Sequence, residues 1–180
     1  LQYLLEKSGI STDALTIEFT SEATEVGSAL AQASAAVGIL PQPFATVAMM
    51  QDQEMSLNFP LENAWKEYSP DGSGIATGVT VVRTAFAEEH PAAVAQFVAD
   101  HQQSVAAAEE DPARAAQLIE QAGIVNASVA QQVIENFNPM TAASGEEMQA
   151  WVSGYLEMLY EIAPDAVGGQ LPDEGFYYLG

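Results

Sequence analysis

From Leu15 to Phe19 apolar and polar residues alternate (Leu-Thr-Ile-Glu-Phe), the period-two pattern of a half-buried strand. Ala36–Leu40 is a short apolar run stopped by Pro41-Gln42-Pro43. It reads as a buried strand that breaks directly into a helix over Pro43–Gln51, with proline pre-set for the first helical turn. Met55–Phe59 is a third strand candidate. Between these lie helical stretches. Leu1 to Ser8 is closed by Gly9, and a helix from about Glu22 to Gln32 turns Val26 and Leu30 inward. Thr20 or Ser21 is placed to cap that helix. Leu61–Tyr68 makes a further short helix. The alternation β-α-β-α-β predicts an α/β fold with a parallel or mixed sheet.

Ser69-Pro70-Asp71-Gly72-Ser73-Gly74 is the strongest turn signal in the chain, and the β-branched run Ile75–Val82 follows it. Gly78 inside that run marks a bulge or a close backbone approach. Beyond it the period becomes helical. Pro91–Glu109 carries Val94, Phe97, Val98 and Val105 on one stripe. Asp111-Pro112 is an N-cap followed by proline at the first helical position, opening a helix that ends near Gly123. Asn126 caps a helix with Val129, Val133, Ile134 and Phe137 inward. Ser144 and Glu147 have capping-box spacing. The helix they open carries Met148, Trp151, Val152, Tyr155, Leu156, Leu159 and Tyr160 on one face. Pro164 breaks it, and a tail with Gly168-Gly169 ends in Phe176-Tyr177-Tyr178.

With 48% hydrophobic and 16% charged residues, the chain is able to bury a core. Its charge is one-sided: 25 Asp plus Glu against 4 Lys plus Arg, net -21. Such a surface repels nucleic acid and anionic membranes, so neither is an expected partner. Without cysteine there is no disulfide, thiolate metal site or cysteine nucleophile within these residues. No apolar run of roughly 18 residues spans a bilayer. The opening Leu1-Gln2-Tyr3-Leu4-Leu5 lacks both a Met and a helix cap, which predicts that an N-terminal portion precedes it.

Catalytic signatures are wanting. His90 and His101 have no metal-ligand spacing and read as surface or boundary residues, and no phosphate-binding or nucleophile-elbow motif occurs. Glu88-Glu89 and Glu109-Glu110 are adjacent in sequence, hence on diverging helix directions, and read as solvated faces. Met49-Met50 and the Trp151/Tyr155 stripe read as core. No catalytic residue, metal ligand or cofactor is expected. Three places suit a small molecule. Thr20 and Ser21 follow the first strand. Gln42 offers donors and acceptors, and Phe44 a stacking face. Thr77 sits beside Gly78, with Arg83 shortly after.

Several motifs resemble the nitrate/sulfonate/taurine/thiamine-precursor group of ABC-transporter substrate-binding proteins. They are Leu4-Leu5-Glu6-Lys7-Ser8-Gly9-Ile10, Thr24-Glu25-Val26 with Ala29-Leu30, and Leu40-Pro41-Gln42-Pro43-Phe44-Ala45-Thr46. The run from Val81 to Pro91 through Phe86-Ala87-Glu88-Glu89-His90 also matches, as does Gly168-Gly169-Gln170-Leu171-Pro172-Asp173 with Phe176-Tyr177. Ala33 and Ala36 stand where that family usually has Gly and Asp. The resemblance implies a partial type II periplasmic-binding-protein-like fold: the second lobe plus the C-terminal helices of the first. Residues 1–74 would be the second lobe lacking its first strand, 75–83 the return crossover, and 84–180 the helical completion of the first lobe. It implies an extracytoplasmic, monomeric solute-binding component, without enzymatic activity, that delivers a small polar or anionic organic solute to an ABC permease and ATPase complex. An effector-sensing domain and a pyrimidine-synthase-like enzyme are the alternatives on that fold. The enzyme depends on a cysteine-rich motif that this sequence lacks.

Overall fold

The computed structural model describes residues 1–32, 37–69, 72–137 and 140–180. Nine α-helices are found among them. These are α1 (Gln2–Lys7), α2 (Ala23–Gln32), α3 (Phe44–Gln51), α4 (Leu61–Tyr68), α5 (Thr84–Glu89), α6 (Pro91–Glu110), α7 (Pro112–Gln121), α8 (Ala127–Phe137) and α9 (Gly145–Ile162). Three single-turn 3-10 segments, Thr12–Ala14, Pro164–Val167 and Glu174–Phe176, complete the regular structure.

Among the described residues there is no strand and no sheet ladder, so the fold is all-helical. This overturns the expected α/β, type II periplasmic-binding-like architecture. The runs read as strands, Leu15–Phe19, Met55–Phe59 and Ile75–Val82, are not helical either, and no ladder joins them to any described residue. The same holds for residues 37–40, while Ala33 and Ala36 lie outside the described residues. Leu15 and Arg83, at the edges of two of these runs, do have extended backbone. Period-two patterning and β-branching disfavour a helix locally, but a strand exists only when a second segment takes up its N–H and C=O groups. The consequence is visible in burial: Phe19 is 79% exposed, Val37 91% and Val81 81%.

The chain divides into two compact units that interleave in sequence. The first comprises Leu1–Ile17, Phe59–Ala99 and Ala143–Gly180. Its core is Tyr3, Leu4, Ala64, Trp65 and Met158, with Leu61, Tyr68, Ile75, Tyr155 and Leu159 packed around it. The Trp65 ring lies between two tyrosines, 6.0 Å from Tyr3 and 5.5 Å from Tyr155 by centroid, both tilted. Such pairs add to the area they bury. The Trp65 Nε1–H donates to Ser73 Oγ at 3.0 Å, and the Tyr3 hydroxyl donates to the Tyr68 carbonyl. On α9 the buried positions are Gly154 and Met158, whereas Tyr160, on the predicted stripe, is exposed. Gly154 is buried because Ser73 sits where its side chain would be.

The second unit comprises Glu18–Asn58 and Asp100–Ala142. Helix α7 packs on α8, α8 on α3, and α3 on α2. Val129, Ala130, Val133 and Ile134 of α8 are buried, with Ala116 of α7 and Thr46 and Ala48 of α3. Asp111 and Asn126 cap as their sequence positions predict. Asp111 Oδ1 accepts from Arg114 N, and Asn126 Oδ1 from Val129 N. Met49 is half-buried and Met50 exposed, so only the first of that pair belongs with the core.

Candidate functional site

In the second unit, a concavity of about 450 Å³ runs along α2 from the turn before it to its last residue, lined by Thr20, Thr24, Glu25, Ser28, Ala29 and Gln32. It is a shallow groove, wide open to solvent, in which polar and apolar surface are present in comparable parts. Successive turns of one helix build it: Thr24, Ser28 and Gln32 recur at intervals of four, which stacks them on one face. Ser28 Oγ donates to the Thr24 carbonyl at 3.0 Å, and Thr20 Oγ1 donates to the Glu22 carbonyl at 3.1 Å. The expected capping by Thr20 or Ser21 is therefore replaced. Glu25 reaches back instead, its Oε2 accepting from Ser21 N at 3.1 Å and Glu22 N at 3.3 Å. A carboxylate three residues into a helix satisfies the free N–H groups there in just this way. It also puts a negative charge where an anionic ligand atom would otherwise sit.

Of the residues singled out in the sequence, Thr20 lines this concavity. Ser21 is exposed beside it, with its N–H engaged by Glu25. Gln42 is half-buried in the same unit, and its Oε1 accepts from Thr46 N and from Thr46 Oγ1, at 3.3 and 2.9 Å. It thus acts as a local cap over the first turn of α3, following a cis Gln42–Pro43 peptide. This explains how Thr46 can be 2% exposed: its hydroxyl has a partner. Phe44 opens α3 and is 40% exposed. Thr77 lies exposed in the first unit.

Glu25 is the residue that sequence reasoning passed over. A glutamate in the first turn of a helix is placed to reach back to the N–H groups just before it, as Glu25 does. Gln32 and Ser28 were equally legible as the i+4 continuation of Thr24. The histidines are surface residues. His90 stacks against Phe86 at 4.8 Å, and no group of three or more His, Asp or Glu among the described residues is arranged to hold a metal ion. No helix among the described residues is long and apolar enough to cross a membrane. Compared with models of known protein families, with curated proteins and with solved structures, the chain matches none.

Proposed function

We propose that the chain is a solute-binding component of an ABC importer, capturing a small polar organic solute and delivering it to a permease outside the cytoplasm. The motif resemblance supplies the transporter class, the sulfonate, nitrate or thiamine-precursor range of solutes, and the location. The observation that carries solute binding is the row of hydroxyl and amide side chains along α2 that lines an open groove. Thr20, Thr24 and Ser28 offer hydroxyls, and Gln32 both donors and acceptors. Gln42 and Phe44 are not among the groove's lining residues, and Gln42 Oε1 is engaged by Thr46.

Glu25 decides which solutes enter. While its carboxylate holds the Ser21 and Glu22 N–H groups, the concavity favours neutral or cationic molecules, and a sulfonate must displace it. A thermal-shift series against a pyrimidine, a sulfonate and nitrate tests both points. A neutral pyrimidine is expected to raise the melting temperature of the native chain. Glu25→Gln is expected to shift preference towards the sulfonate by about ten-fold in Kd, or about 1.4 kcal/mol. A full panel without any stabilising solute removes the binding reading. Stabilisation untouched by Glu25→Gln moves the site away from α2.

A further inference from the structure

We draw no further inference here: the strongest candidate, the exposed apolar run Ala76–Val82 between the core of the first unit and α5, carries nothing because nothing in the structure shows what covers it.

Discussion

Gly154 shows how one missing side chain organises the first unit. A Cβ there would lie 2.4 Å from Ser73 Cβ, a distance that two carbons cannot share. The contact matters because Ser73 Oγ is the acceptor for the buried Trp65 indole, which sits at the centre of the aromatic cluster. Alanine in place of glycine gains about 1 kcal/mol of helix propensity, but overpacking costs about 1–3 kcal/mol. Displacing Ser73 would also leave the indole N–H unpaired, at about 1–3 kcal/mol. The unfavourable terms win. Gly154→Ala is therefore expected to lower stability by about 2 kcal/mol, read from urea unfolding, with a red-shifted Trp65 fluorescence. A variant as stable as the native chain would show that the turn carrying Ser73 yields without cost.

Helices α7 and α8 bring the same logic to the level of whole elements. Their packing is the largest helix–helix contact in the second unit, and each begins at a side-chain cap. Asp111 Oδ1 accepts from Arg114 N at 3.0 Å, with Pro112 at the first helical position. Asn126 Oδ1 accepts from both Val129 N and Ser128 Oγ. Asp111→Ala should cost about 1 kcal/mol and Asn126→Ala a similar amount. The double variant should lose roughly the sum, because each cap serves its own helix. Amide exchange in the first turns of α7 and α8 gives the local readout. These caps were legible because their physics is local: α4 has the limits Leu61–Tyr68 that its pattern predicts, and α7 and α8 begin just after Asp111 and Asn126. The strands were not legible in the same sense. Leu15–Phe19 and Ile75–Val82 carry the right residues, yet pairing depends on a distant segment that local periodicity does not report. Helix α5 went unread because Thr84–Glu89 is too short to show a period. The candidate site was partly legible. Thr20 was singled out for following a strand that does not form, yet it lines the groove along α2, while the engagement of Gln42 with Thr46 depends on a side-chain conformation that local pattern does not report.

At the scale of the whole molecule, charge governs response to solution conditions. A net -21 makes the compact state repel itself, and added salt screens that repulsion, with a Debye length of about 10 Å at 0.1 M. Stability near neutral pH should therefore rise with salt. The alkaline limb follows from three groups. Lys7 is raised above its ordinary value by its hydrogen bond to Glu161 and the charge of that carboxylate, Nζ to Oε1 being 3.0 Å. Tyr68 is raised by its hydrogen bond to Glu67 and by that residue's charge, and Tyr177 by burial and then by the charge of Glu157. A folded value above the unfolded one means that the contribution is complete below the unfolded value and disappears as pH rises through the folded one. The ordinary values are 10.5 for lysine and 10.0 for tyrosine, so the loss begins as pH climbs past the tyrosine value. In the same window each deprotonation adds to an already large negative charge. Unfolding free energy should then fall steeply above about pH 10 in dilute buffer and less steeply at about 0.5 M salt, where the net-charge part is screened. Tyr177→Phe should flatten the residual slope at high salt, since burial of a neutral ring persists while the ionisation does not. An alkaline slope identical at both salt concentrations would assign the loss to these local contacts alone. A slope unchanged by Tyr177→Phe at high salt would remove Tyr177 from the account.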